Sequence, residues 1–223
     1  VLKELIKDAD PESALSNKRF PWLSAQRIEL GMCPVDAIRV AYTGELGWEL
    51  HHPIEMQRYL WDQLMAAGAK HGLKLVGARA QNWLRQEKSY RAFGTELGRD
   101  ATPLEADLPR FVDLSKDFHG KAAMEATGIR SKCVTVLIDG PADADPWGKE
   151  ALIDPATGAK VGRLTSGGYS VVFGKQIGMG YVSVEKAEVG TKLKVRMMRE
   201  LWDAEVVQDS PYDPANANIR VDG

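Results

Sequence analysis

The most restrictive feature of this sequence is a change of pattern near residue 130. After Arg130, short apolar-rich runs recur at regular intervals, and glycine and proline residues separate them, as is typical of antiparallel barrels and sandwiches. The predicted strands are Cys133 to Ile138, Lys160 to Thr165, Ile177 to Val182, Lys192 to Met197 and Ala204 to Gln208. Residues 131–223 are therefore predicted to form a small antiparallel β-barrel.

Before residue 130, helical periodicity alternates with strand signals. Pro53 can begin a helix, and apolar residues follow at helical spacing until Gly72 ends it. These residues are Met56, Tyr59, Leu60, Leu64 and Ala67. A second helix is predicted just after Gly77, with one apolar face and polar residues elsewhere. The apolar face carries Ala80, Trp83 and Leu84, and the polar residues are Gln81, Arg85 and Lys88. The predicted class is α+β, with domains at 1–130 and 131–223.

A β-hairpin is predicted ahead of the first helix. The run Ile38 to Tyr42 places alternate apolar residues on one strand face, Thr43 to Gly47 supplies two glycines for a turn, and Trp48 to His51 returns.

Two residues of this hairpin form a candidate binding pair. If the strands pair symmetrically about the turn, Tyr42 and Glu49 lie across from each other and can face one ligand. A carboxylate at a rigid strand end can accept two adjacent N–H donors from a planar heterocycle. Trp48 alternates with Glu49 and is expected to point into the core. The alternative interpretation is a solvated turn with an ordinary surface glutamate.

Arg79 is a second candidate because it stands at the predicted beginning of a helix. The helix dipole disfavours a cation there by about 0.3–1 kcal/mol at an exposed site. Its planar guanidinium can bind a ligand carboxylate or oxygen. An ion pair with a nearby acidic residue is the alternative.

The glycine-rich run Thr165 to Ser170 is a weaker candidate. It follows a predicted strand and lacks the lysine of a phosphate-binding loop, so it is interpreted first as a tight turn and second as a ligand loop.

Composition removes several classes of function. A net charge of −2 argues against nucleic acid as a partner, and the apolar runs are too short to span a bilayer. Cys33 and Cys133 are interpreted as reduced core thiols, and the histidine spacing predicts no metal site. We expect a cytoplasmic or organelle-lumen protein. Val1 to Ile6 looks like a helix without a capping residue, which suggests a chain that starts inside a domain.

Several ordered motifs resemble a known family. Tyr42 to Leu50 and Gly77 to Lys88 resemble the folate-binding region of the aminomethyltransferase family, whose type member is the glycine cleavage T-protein. Tyr90 to Leu97 is similar to the C-terminal half of dimethylglycine and sarcosine dehydrogenases. Further motifs with this similarity are Thr102 to Ala106, Asp117 to Lys121, Thr165 to Ser170, Gly178 to Val182 and Ser210 to Pro214. The resemblance covers essentially the whole chain.

The resemblance implies a tetrahydrofolate site. Tyr42 and Glu49 would contact the pterin, Arg79 would bind another polar part of the folate, and Arg220 is a weaker candidate near the C-terminus. The family's catalytic aspartate lies upstream of the region matched by Val1, so no catalytic residue is assigned. A chain complete as printed would bind folate poorly and catalyse little. FAD would belong only to a preceding domain.

The implied function is tetrahydrofolate-dependent transfer of an aminomethyl or methylene unit in amine or glycine catabolism, with the chain as part of a longer enzyme. A folate-dependent demethylase and a non-catalytic folate-fold scaffold or regulatory module stay open as alternatives. The expected partners are a small-molecule substrate and an oxidase domain or carrier protein, with no nucleic acid and no membrane. The expected location is the cytoplasm, or the mitochondrial matrix in a eukaryote.

Overall fold

Residues 1–141 and 143–222 are described by a computed structural model. One unit of the chain comprises Val1–Gln81 with the segment from Ala215 onward, and the other comprises Asn82–Pro214. Both the α+β class and the C-terminal barrel expected from the sequence are confirmed. The division into domains at residue 130 stays a prediction. In the described ranges, no helix is long and apolar enough to cross a membrane.

The first unit contains short helices and a three-stranded antiparallel sheet of order β1-β2-β3. Its elements are α1 (Leu2–Leu5), α2 (Pro11–Ala14), β1 (Ala25–Leu30), β2 (Cys33–Ile38), β3 (Glu49–His51), α3 (Gln57–Gly68) and the start of α4 (Ala78–Glu87). Buried and exposed residues alternate along β2. One face of the sheet therefore packs on the core, and the other face presents polar side chains.

The core of the first unit lies between this sheet and α3. Phe20, Leu30 and Val35 are fully buried, and Leu60 of α3 packs into the same cluster. A short 3-10 turn, Ile54–Met56, precedes α3. After α3 and a second 3-10 turn, the chain leaves the helical path at Gly72, whose φ is +68°. The helix predicted between Pro53 and Gly72 is confirmed.

The hairpin differs from the predicted one in its register. β2 ends at Ile38, which pairs with Glu49, and residues 39–48 form a long connecting loop. Tyr42 lies in this loop, so the predicted cross-strand pairing of Tyr42 with Glu49 is wrong. The pairing with β3 stops where Arg39 is buried, and its guanidinium bonds to carbonyl groups outside the sheet, which holds the following loop away from a continued β2–β3 ladder.

The second unit is built around a closed six-stranded antiparallel barrel of order β4-β7-β6-β5-β8-β9. Its elements after α4 are α5 (Lys121–Thr127), β4 (Ser131–Ile138), β5 (Ala151–Ile153), β6 (Lys160–Ser170), β7 (Lys175–Ser183), β8 (Lys192–Met197) and β9 (Glu200–Val207). Fully buried apolar side chains fill the interior, among them Val136, Ile138, Leu152, Leu193 and Val195. Each predicted barrel strand is present, and β5 is an additional short one.

The glycine-rich run from residue 165 to 170 belongs to β6, so its interpretation as a tight turn is wrong. A Cβ on Gly168 would lie 2.1 Å from Cδ1 of Trp83, and a Cβ on Gly167 would lie 2.5 Å from the carbonyl oxygen of Pro146. The glycines therefore make room for groups packed on the strand.

The C-terminal part of α4 is buried although it carries charged residues. Arg85, which was predicted to lie away from the apolar face, donates from Nη1 to Oε2 of Glu96 at 3.0 Å and from Nη2 to Oγ of Ser166 at 2.6 Å. Lys88 donates from Nζ to the carbonyl oxygen of Asp213 at 2.6 Å. These bonds satisfy cations that would otherwise be costly to bury.

Candidate functional site

Glu49 is the first residue of β3, and its side chain is 59% exposed. The preceding residue, Trp48, packs edge-on against Phe20 with ring centroids 4.7 Å apart, as expected of a core residue. The carboxylate thus stands at the end of a strand whose preceding residue is partly buried and packs against the core. Its Oε2 lies 3.4 Å from Nε2 of His51.

Arg39 fastens the loop that precedes Glu49. Its fully buried guanidinium donates from Nη1 to the carbonyl oxygen of Phe20 at 2.7 Å and from Nη2 to that of Val221. It also lies over the Trp48 ring, 5.4 Å from its centroid. Burial lowers the pKa of Arg39, and the nearby Asp222 carboxylate opposes that shift. One side chain therefore ties the loop to Trp48 and to the C-terminal segment.

The two ends of the loop, near Ala41 and Gly47, approach each other closely. A Cβ on Gly47 would lie 2.6 Å from Cβ of Ala41, so only glycine allows this approach. Gly44 lies in the left-handed region at φ +88°. Tyr42 stands between these constraints with 36% of its surface exposed. The loop therefore presents a partly exposed tyrosine on a backbone whose conformation is restricted at Gly44 and Gly47.

Arg220 lies in the C-terminal segment that Arg39 holds. Its guanidinium is 4.8 Å from the centroid of the Trp22 ring, and its carbonyl oxygen accepts from Nδ2 of Asn17 at 2.6 Å. The neighbouring Val221 carbonyl is the acceptor for Arg39. The hydrogen bond from Arg39 to Val221 thus connects the segment that carries Arg220 to the loop that carries Tyr42.

Arg79 is the second residue of α4 and is exposed, in agreement with its predicted place at the beginning of a helix. It is on a different element from the other three candidates, which lie in the loop, on β3 and in the C-terminal segment.

Metal binding and thiol chemistry depend on the acidic, histidine and cysteine side chains of the described residues. Among residues 1–141 and 143–222, no group of three or more His, Cys, Asp or Glu side chains is placed to hold a metal ion. Cys33 and Cys133 are both free and buried, as expected. Burial raises the pKa of Cys133 to about 12, which leaves it a poor nucleophile.

Arg39 is the functional residue that the sequence interpretation did not identify. The available signal was an arginine between Ile38 and Val40 in an apolar run. From the sequence, an arginine there could lie on the solvent face of a strand or be buried and hydrogen-bonded. The fold decides between these positions, because it brings the carbonyl groups that accept from the guanidinium close to Arg39.

Comparisons with protein families cover most of the chain. The family model described as "GCVT N-terminal domain" matches residues 1–116. The model described as "Glycine cleavage T-protein C-terminal barrel domain" matches residues 132–213, the region that contains the barrel.

Curated proteins with similar sequences fall into two groups. Mouse mitochondrial dimethylglycine dehydrogenase is 38% identical over 94% of this chain and 24% of its own length. Human mitochondrial sarcosine dehydrogenase is 33% identical over 99% of this chain and 24% of its own length. An aminomethyltransferase of Desulfitobacterium hafniense is 32% identical over 89% of this chain and 54% of its own length. The chain thus spans about a quarter of the dehydrogenases and about half of the aminomethyltransferase.

A solved structure has the same fold. The glycine cleavage system aminomethyltransferase T from Bartonella henselae superposes with a TM-score of 0.71 at 25% identity, over 85% of this chain and 51% of that one. Together with the two domain matches, this similarity shows that the chain belongs to the glycine cleavage T-protein family of aminomethyltransferases, which is also related to the dimethylglycine and sarcosine dehydrogenases.

Proposed function

We propose that this chain supplies the pterin-binding part of a tetrahydrofolate site in an enzyme that transfers a one-carbon unit. The observation that carries this proposal is the carboxylate of Glu49, exposed at the end of a strand whose neighbouring Trp48 is packed in the core. An exposed acid on a fixed backbone can bind a ligand without a large ordering cost.

The candidate side chains have the chemistry that a reduced pterin requires. A carboxylate accepts two parallel N–H bonds, and a pterin edge offers adjacent ring and amino N–H donors. Glu49 would accept those donors, and Tyr42 would contact the same ring system from the loop. Arg79 and Arg220 would bind other polar parts of the folate, since a guanidinium suits carboxylates and carbonyl oxygens.

In this proposal, tetrahydrofolate supplies the amine that accepts the one-carbon unit. This chain's residues bind and orient the ring system, and a fixed orientation lowers the barrier by removing rotational freedom beforehand. No residue of the chain is assigned a proton-transfer or nucleophilic role. Glu49 is fixed through Trp48 and Tyr42 through its loop, and both depend on Arg39.

The relatives favour an N-methyl amine as the one-carbon source. Identity is 38% to mouse dimethylglycine dehydrogenase and 32% to the D. hafniense aminomethyltransferase. We therefore place the chain in the amine branch, with FAD in a separate domain, and in the mitochondrial matrix if the source is a eukaryote. A non-catalytic folate-binding module is the second candidate, because no catalytic residue is assigned within the chain.

Isothermal titration of tetrahydrofolate into an intact version of the folate-binding domain, which carries the residues of this chain, tests the proposal. The variant Glu49→Gln removes the charge and one acceptor at nearly constant volume, so we expect it to bind about ten- to a hundredfold more weakly, or about 1.5–3 kcal/mol. Glu55→Gln, at an exposed glutamate in the 3-10 turn before α3, is the matched control and should bind like the original chain. Absence of saturable binding, or equal affinity of the Glu49 and Glu55 variants, would reject the proposal.

A further inference from the structure

The exposed face of the three-stranded sheet carries a row of charged and titratable side chains. Asp36 of β2 pairs in register with Arg27 of β1 on one side and with His51 of β3 on the other. Directly opposed residues on antiparallel strands project from the same face. Nε of Arg27 lies 2.9 Å from Oδ1 of Asp36, so this carboxylate already has a cationic partner.

His51 lies between this pair and Glu49. The two residues are separated by one position on β3, so their side chains share a face, and Nε2 of His51 is 3.4 Å from Oε2 of Glu49. The groups that face the imidazole are thus Glu49 on its own strand and Asp36 with its partner Arg27 across the sheet. An imidazole is the side chain that changes charge between about pH 5 and 8.

The adjacent histidine has a different environment. Nδ1 of His52 lies 2.9 Å from the carbonyl oxygen of Pro53, a backbone group beyond the end of the strand. His52 lies one residue beyond the end of β3, and this contact of its imidazole is with the backbone and not with Glu49. Two neighbouring imidazoles thus differ in whether they contact the candidate pterin-binding carboxylate.

We propose that His51 is a positioning residue for Glu49, and that its protonation weakens the binding of reduced folate. This inference rests on the proposed function, in which Glu49 accepts N–H donors of the pterin. A neutral imidazole that donates from Nε2 to Oε2 fixes the carboxylate plane and leaves its full charge for the ligand. A protonated imidazole partly neutralises the same carboxylate, which makes it a weaker acceptor for the pterin N–H groups.

The size of the effect is limited by solvent. Both side chains of the pair are more than half exposed, and such ion pairs contribute little in water. Converted to affinity, their usual strength corresponds to a change of about two- to fivefold between the two protonation states.

The test uses the same intact version of the folate-binding domain as the titration above. It compares tetrahydrofolate dissociation constants at about pH 6 and about pH 8 for the original sequence, His51→Gln, His51→Ala and His52→Gln. The original chain and His52→Gln should show the same pH ratio. His51→Gln keeps a donor amide but cannot titrate, so its ratio should be smaller by about two- to fivefold while its affinity at pH 8 is retained. His51→Ala should lose the pH effect and also bind more weakly at pH 8. Titration of the ligand itself is common to all four proteins and cancels in the comparison.

The experiment distinguishes an error about the role of His51 from an error about the folate site. If the original chain binds and His51→Gln keeps its full pH ratio, the role of His51 is wrong and the folate site stands. If none of the four proteins binds at either pH, while circular dichroism shows that each is folded, the folate site itself is wrong.

Discussion

Arg39 connects parts of the first unit that are far apart in the sequence. It is fully buried, and its guanidinium reaches the carbonyl oxygens of Phe20 and Val221 and the ring of Trp48. Its Nε has no hydrogen-bond partner within the described residues. A buried cation is retained at such a position because its several donors satisfy carbonyl groups that no apolar side chain could satisfy.

Replacing this arginine should destabilise the first unit strongly. Arg39→Met keeps much of the volume but leaves the carbonyl oxygens of Phe20 and Val221 without their donor, so we expect the free energy of unfolding to fall by about 2–4 kcal/mol. Arg27→Met is the control, because Arg27 is exposed and its ion pair with Asp36 should contribute less than about 1 kcal/mol. Urea unfolding followed by tryptophan fluorescence measures both, and equal effects of the two substitutions would contradict this role of Arg39.

Glu105 gives the second unit a dependence on pH. Burial alone would raise the pKa of this carboxyl, but hydrogen bonds from Arg130 and from the Thr102 backbone lower it to about 2. Because its usual value is 4.5, the stabilisation is fully present above about pH 5 and is lost as the pH falls towards 2.

The variant Glu105→Gln tests this dependence. At neutral pH it should lower the free energy of unfolding by about 1.5–3 kcal/mol, and the difference from the original chain should shrink steadily between about pH 5 and pH 2. Glu125→Gln, at an exposed position on α5, should show no such trend. Chemical unfolding at several pH values provides the data. A difference that is constant with pH would exclude the ionised carboxylate as its source.

At the scale of elements, the sequence predicts those helices and strands in which apolar residues recur at a regular spacing. The barrel strands and α3 are of this kind. The pairing of β1 with β2 was not predicted, because β1 is exposed over most of its length and only Ile28 and Leu30 pack on the core. The glycines of β6 indicated a turn because the group that fills their space, Trp83, is far away in sequence. Long-range packing of this kind leaves no local signal.

The close approach of α4 to β6 is testable at one glycine. Gly168→Ala would place a methyl group 2.1 Å from Trp83 Cδ1, so the helix or the strand must shift, and overpacking of this kind costs about 1–3 kcal/mol. Gly98→Ala is the matched control, since its Cβ would have no neighbour within 4 Å. Thermal unfolding of both variants distinguishes them. An unchanged midpoint for Gly168→Ala would mean that this contact is not tight in solution.

For the whole molecule, the family and the barrel were predictable because they depend on motifs and strand spacing along the entire chain. The relation among the candidate ligand-binding residues was less accessible. Glu49 was expected on a strand and is found there, but Tyr42 was placed on the opposing strand and lies in a loop. The loop is held by Arg39 and by the C-terminal segment, which the chain brings back from more than 180 residues away. The sequence alone does not show that the C-terminal segment returns to contact this loop.

The central claim is that Glu49 binds the pterin edge of a reduced folate. A crystal structure of the chain grown with 5-formyltetrahydrofolate, a stable reduced folate, tests this most directly. The account predicts the pterin ring on the exposed side of β3, with its ring and amino nitrogens within hydrogen-bonding distance of the two Glu49 carboxylate oxygens. A folate bound elsewhere, with Glu49 in contact only with His51 and solvent, would contradict it.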